Sequence, residues 1–197
     1  MIGRVGPNIL AAAGMLLMGG GVFAQDTTTD TGWYLGYGTG QFTAKNSFSQ
    51  PSISTSFDTS SEGFIAGYRF SPNFAVESQY FSFDDESLRF SSPSDSGVAV
   101  LSSASGFGIY AKPKWPISER FGLYAKLGWA RFESDVTITF DAQNSSIVGK
   151  FRTKDYSFGA GAEYQLTDRL KLDFGYTERK SDVFDIRGWG LSLLFEF

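Results

Sequence analysis

From Trp189 to Phe197 every second side chain is apolar: Trp189, Leu191, Leu193, Phe195 and Phe197 share one side of an extended chain, and Gly190, Ser192, Leu194 and Glu196 share the other. A period of two with unlike faces marks a β-strand. The same split recurs in Phe121-Leu123-Ala125-Leu127-Trp129 against Gly122-Tyr124-Lys126-Gly128, and in Phe158-Ala160-Ala162-Tyr164 and Leu170-Leu172-Phe174-Tyr176, each of these two opposed by glycine, small polar or charged residues. Shorter versions occur at Trp33-Leu35-Tyr37, Phe64-Ala66-Tyr68-Phe70, Val76-Ser78-Tyr80 and Phe107-Ile109-Ala111. Eight strands are therefore predicted, and no helical period persists beside them. A composition of 17% aromatics with 23 Gly suits strands joined by permissive turns.

The N-terminus has one basic residue, Arg4, then an apolar run from Ile9 to Met18, then Val22-Phe23-Ala24. That run is shorter than the ~20 residues needed to span a bilayer as a helix, so it reads as a secretory signal cleaved after Ala24. The expected organisation is a signal peptide over 1–24, a polar leader over 25–31 and one β-domain over 32–197. Short turns are expected at Ser71-Pro72-Asn73, Pro116-Ile117-Ser118-Glu119 and Thr167-Asp168. Long polar connections are expected at about 43–61, 84–105, 133–150 and 178–185. An exported sheet in a membrane must close on itself, because an open edge would leave backbone groups unpaired in hydrocarbon. Short turns on one rim and long connections on the other then give an eight-stranded antiparallel up-and-down transmembrane β-barrel, with both termini on the periplasmic side of a Gram-negative outer membrane.

Alternation does not say which face is outside, since a soluble barrel of lipocalin type shows the same period with apolar residues inward. Two features favour the membrane orientation. The polar face is mostly glycine with isolated charges, which suits a cramped lumen. Aromatics gather at the ends of the apolar stripes, with Phe70, Phe121, Tyr164 and Phe197 towards one rim and Trp129, Tyr176 and Trp189 towards the other, as interfacial girdles do.

Several segments, weak singly but ordered and spaced alike, resemble the transmembrane domain of OmpA-like outer-membrane proteins. They are Trp33-Tyr34-Leu35-Gly36, Gly67-Tyr68-Arg69-Phe70 before Pro72, Glu77 with Tyr80, Ala111-Lys112 leading to Trp115-Pro116-Ile117, Leu123-Tyr124-Ala125-Lys126-Leu127-Gly128, and Gly161-Ala162-Glu163-Tyr164. The resemblance implies an interior charge cluster, matched at Glu77, Lys112 and Glu163, although Asp173 stands where an interior arginine is expected. No peptidoglycan-binding domain is expected after Phe197, so cell-wall anchoring is not carried over. Residues Trp189, Leu191, Leu193, Phe195 and Phe197 resemble the terminal strand recognised by the barrel-assembly machinery, which together with periplasmic chaperones is an expected partner during biogenesis.

Arg69, Glu77, Lys112, Lys126, Glu163, Lys171 and Asp173 all fall on the inward register and must pair with each other or with trapped water. They predict either the filling of a solid barrel or a narrow conduit gated by salt bridges. Beyond the upper girdle the inward register turns apolar, at Phe42, Phe81, Phe83, Phe132, Val136, Ile138, Phe140, Phe151, Phe184 and Ile186, while outward neighbours such as Ser82, Glu133, Thr137, Thr139, Arg152 and Asp185 are polar. A sheet leaving lipid for water needs this inversion, so a short tube with a dry interior is expected above the membrane. It would serve as a plug, an adhesive platform or a pocket for an apolar ligand. Arg131, Arg152, Lys154 and Arg187, outward near the upper girdle, are candidate contacts for lipopolysaccharide phosphates.

The chain contains no His and no Cys. Imidazole-dependent hydrolysis, thiolate chemistry and the usual zinc sites are thereby excluded. No Ser-Lys or paired-carboxylate arrangement stands out, and Asp84-Asp85-Glu86 reads as an exposed acidic loop before a cation site. No catalytic residue, cofactor or metal is assigned. Acidic residues outnumber basic ones by 21 to 17, which argues against nucleic acid. The expected partners are outer-membrane lipids, lipopolysaccharide and a host or surface ligand at the long loops. The expected function is non-enzymatic, in envelope integrity or surface interaction, with a narrow conduit for ions or small apolar molecules as the competing reading.

Overall fold

The computed structural model describes residues 31–46, 56–91, 96–140, 145–180 and 184–197. The signal segment and all of the leader except Thr31 lie outside them. The described residues form nine strands and no helix: β1 (Gly32–Asn46), β2 (Ser56–Ser71), β3 (Phe74–Phe83), β4 (Glu86–Ser91), β5 (Ser96–Pro116), β6 (Phe121–Phe140), β7 (Ser145–Gln165), β8 (Leu170–Lys180) and β9 (Phe184–Glu196). Eight of them close an antiparallel barrel through β1–β9 and β3–β5 pairings, and β4 adds a short ninth strand against the upper part of β5.

All eight predicted strands are present, and the three short turns lie where expected. The turn after β2 is tightened by the Ser71 hydroxyl, which accepts the Asn73 amide at 3.3 Å. In the turn after β7, Thr167 Oγ1 accepts the Leu170 amide at 3.1 Å. The long polar connections are a correction: most of their residues are strand. β1 and β2 stay paired out to Lys45 and Ser56, and β6 and β7 out to Phe140 and Ser145. Polar outward residues disguised these extensions as loop, because outside lipid a strand gains nothing from an apolar exterior.

Strand lengths set the shape. β3 and β8 have 10 and 11 residues, about what crosses a bilayer at a tilt, whereas β5, β6 and β7 have 21, 20 and 21. The surplus rises on one side as a sheet in the order β4-β5-β6-β7. A bulge between Ser102 and Ser105, with Ser103 at a φ of 53°, shifts the parity of β5, so that Leu101 above it and Ala104 below it both face inward. The Asp85 carboxylate accepts the Ser103 amide at 3.0 Å and holds that turn of the backbone.

Burial decides the orientation. Leu127 is 60% exposed and Phe64 61%, whereas Glu77 is fully buried and Lys112 is 2% exposed. A water-soluble barrel would show the reverse, so the exposed aliphatic band is the lipid-facing surface. Tyrosines fill the lumen beside glycines on neighbouring strands: Tyr34 pairs with Gly67 and Tyr124 with Gly161. A Cβ on Gly67 would lie 2.3 Å from Tyr34 Cζ, and one on Gly161 would lie 2.4 Å from Tyr124 Oη. Glycine there is space reserved for an aromatic ring.

Candidate functional site: the charged lumen and its aromatic cap

The lumen holds two connected groups of ion pairs. Towards the turn rim, the Arg69 guanidinium lies 3.1 Å from Glu163 and 3.0 Å from Glu196, and Lys171 Nζ lies 2.7 Å from Glu196. Lys114 Nζ reaches the same Glu163 carboxylate at 2.5 Å. Deeper inside, Lys112 Nζ sits 2.8 Å from Glu77, 2.6 Å from Asp173 and 3.4 Å from Glu163, and so joins the groups. Lys126 Nζ lies 2.9 Å from Glu77.

Tyrosine hydroxyls complete the carboxylate shells. Tyr34 donates to Glu77 at 2.9 Å and Tyr124 to Asp173 at 2.6 Å, while the Gln79 amide donates to Glu77 at 3.1 Å. Lys112 Nζ also lies 4.3 Å from the Tyr124 ring centroid, where the ring face attracts a cation. All seven charged residues expected in the lumen are brought together. Lys114, Glu196, Tyr34 and Tyr124 are further members that the sequence reading did not assign. Their signal was present, since each continues the inward register of its strand.

Above this layer the lumen is apolar, as the inversion of pattern predicts. Phe81, Phe83, Phe132, Leu101, Ala44, Ala104, Ala130 and Ile186 form one buried cluster, with Phe42 and Val136 packed on it. Edge-to-face rings knit it together: Phe83 meets Phe42 at 5.6 Å, Phe81 at 5.7 Å and Phe132 at 5.7 Å between centroids. Ile138 and Phe140 are half-buried above the cluster, and the side chains of Phe151 and Phe184 lie outside the described residues. This cap and the charged layer occupy successive levels of the lumen.

On the outer surface, Arg131 and Lys154 are cross-strand partners on β6 and β7, and Arg152 stands opposite Glu133. Glu133 bridges Arg131 at 2.5 Å and Arg152 at 3.0 Å. Desolvation pushes the Glu133 carboxyl up, but the hydrogen bonds and positive charges of Arg152 and Arg131 together outweigh it and hold the group below its ordinary range. Arg187 is exposed on β9, opposite Glu178 of β8, and so stands apart from the other three. Three of the four candidate phosphate contacts thus form one patch.

Solved structures similar to this chain are small bacterial barrels. Ail, the attachment invasion locus protein of Yersinia pestis, in complex with the heparin analogue sucrose octasulfate, aligns with a TM-score of 0.56 at 15% identity, covering 85% of this chain and 99% of its own. Neisserial surface protein A aligns with a TM-score of 0.57 at 16% identity, covering 84% and 97% respectively. At that identity the likeness speaks for the fold alone. No curated protein matches the sequence. Residues 10–197 match the family described as the outer membrane protein beta-barrel domain. A closed sheet with an aliphatic exterior and a charged lumen is the architecture such a match requires, and the chain belongs to this family of integral outer-membrane barrels.

Proposed function

We propose that the protein is a non-conducting, non-enzymatic barrel that serves envelope integrity and presents a surface for interaction. The observation that carries this reading is a lumen filled at two levels, with an ion-paired layer below and an aromatic cap above. Ion pairs buried this deeply are held by several partners each, and opening a path would strand charges at a cost of several kcal/mol. Planar bilayers containing the purified protein are expected to show no large stable pores. Steady conductance to polar solutes of modest size would replace this reading with that of a narrow conduit.

The surface role rests on Arg131, Arg152 and Lys154, joined at a distance by Arg187. Arginine and lysine at this height offer charge-assisted hydrogen bonds to lipopolysaccharide phosphates. Ail, a similar barrel, is known in complex with a sulfated heparin analogue, which supports looking for polyanions at this surface too. Replacing all four by Gln is expected to reduce co-purified lipopolysaccharide, and unchanged retention would remove the proposal. In the same reading Trp189, Leu191, Leu193, Phe195 and Phe197 present the assembly signal. Phe197→Ser is expected to slow insertion by the assembly machinery while leaving refolding in detergent unchanged.

A further inference from the structure

The surplus length of β7 creates an edge. Its pairing with β8 reaches only as far as Tyr156 with Lys180, and there β8 gives way to β9, Lys180 already facing Asp185. Beyond that level β7 runs on, paired to β6 without a break as far as Ser145 with Phe140. Residues 146–154 therefore have β6 on one side and, among the described residues, no strand on the other. At about 3.4 Å per residue this is roughly 30 Å of edge. It stands outside lipid, on the side of the barrel away from the short turns. Alternate residues there turn a backbone N–H and C=O away from β6, and an added strand would complete that ladder.

The two faces of this edge differ. Lys150, Arg152 and Lys154 share the outward face, opposite Asp135, Glu133 and Arg131 of β6. Cations outnumber carboxylates among these six side chains, and Lys150 lies 3.8 Å from Asp135, the limit of an ion pair. Ile147 and Gly149 share the inner face with half-buried Ile138 and Val136 of β6, and Ile147 itself is 59% exposed. A strand laid against β7 thus meets cations on one face and aliphatic surface on the other. Period-two alternation of acidic and aliphatic residues is the pattern that satisfies both.

A second copy of this chain does not fit. Edge against edge, centred on the basic stretch, sets cation opposite cation, and like charges across a ladder repel. Two copies in one membrane also point the same way, so their β7 strands, each tilted by about 40°, cross and cannot run antiparallel. Lysine on an edge discourages self-pairing by its charge, and the same charge selects a strand of opposite sign. We propose that the β7 edge is a docking site for an extended acidic polypeptide segment. The segment adds as a strand, with carboxylates towards Lys150, Arg152 and Lys154 and aliphatic side chains towards Ile147 and Gly149. It supplies a partner for the surface role proposed above, and rests on that reading.

The test uses the whole barrel, refolded in micelles free of lipopolysaccharide, with fluorescent peptides of about eight residues to match the edge. The probe alternates Glu and Val, and a Lys-Val peptide is the charge control. Two further Glu-Val peptides are N-methylated at alternate amides, one in each phase, so that one phase blocks the amides facing β7. The expected result is saturable binding of the Glu-Val probe, with shifts of the backbone amide resonances of residues 146–154. The Lys-Val peptide should bind about tenfold more weakly, several exposed charge pairs having changed sign. One methylated phase should bind like the parent, and the other should fail. Lys150→Glu with Lys154→Glu should reverse the preference for charge, with the fold checked by heat-modifiable gel migration. If that variant does not fold, the methylated pair decides alone. No saturable binding, parent-like binding of both methylated peptides, or a preference for Glu-Val that survives the double variant would each overturn the site. A conducting lumen would overturn the proposed function and leave this result standing.

Discussion

Lys112→Met isolates the value of the central cation. Methionine roughly matches the length and volume of lysine, so the cavity contribution is small and the loss is electrostatic. The side chain is 2% exposed and its ammonium serves three carboxylates, at 2.8 Å to Glu77, 2.6 Å to Asp173 and 3.4 Å to Glu163. Removing one partner from a buried ionic cluster costs about 3–5 kcal/mol, because charges are left without compensation. At about 1.4 kcal/mol per factor of ten, the folded fraction should fall relative to the unfolded by two orders of magnitude or more. Urea titration in lipid vesicles measures this, with tryptophan emission as the signal, since Trp33, Trp115, Trp129 and Trp189 are all exposed on the outer surface. Lys150→Met is the control. Its side chain is 84% exposed and 3.8 Å from Asp135, so the change should stay below about 1 kcal/mol. Adding Asp173→Asn to Lys112→Met should recover part of the loss, because one stranded anion is removed. A loss under 1 kcal/mol for Lys112→Met, or strict additivity in the double variant, would refute the view of the lumen as a tightly coupled ionic core.

Three further outcomes follow from the same geometry. Leu127→Arg places a charge on the lipid-facing band and should cost about 2–4 kcal/mol, less if the site lies nearer the interface, whereas Thr139→Arg, on the exposed extension of β6, should be close to neutral in the same vesicle assay. Phe81→Ala removes a ring from the centre of the cap and should cost about 3–5 kcal/mol by urea titration. In Gly161→Val, the new Cβ would meet both the Phe174 carbonyl oxygen and Tyr124 Oη at 2.4 Å. The carbonyl belongs to the β8 backbone, so the strand pair must part, and heat-modifiable migration should be lost or weakened by about 3 kcal/mol of destabilisation.

The membrane-spanning parts of the strands were legible because lipid on one side and a tight lumen on the other force a strict alternation. Where both sides change solvent, the pattern faded. β4 was missed because its six residues, Glu86 to Ser91, lie in a serine-rich stretch with no apolar stripe long enough to register. The bulge at Ser103 was hidden for another reason: no glycine marks it, and it reverses the parity of β5, so Leu101 reads as out of step with Gly106 and Gly108. Among the lumen charges, Lys114 escaped notice because it follows Pro113 and sits next to a turn. Arg179 escaped because it lies in a polar stretch, Glu178 to Asp185, that read as a connection. Neither residue type nor spacing reveals that a charge at such a place lies over the ring of Phe81. That takes three strands seen together.

The seam between β1 and β9 carries a consequence for how this barrel is made. Thirteen residue pairs, from Tyr34 with Glu196 to Asn46 with Phe184, zip the first strand to the last. The ring is therefore finished by the last of its own strands to be made, and every earlier intermediate has two raw margins that hydrocarbon cannot tolerate. Such a chain must either wait in water under guard or have its margins covered by another protein until the final ribbon arrives. Its assembly is all or nothing because its circumference has no natural place to stop.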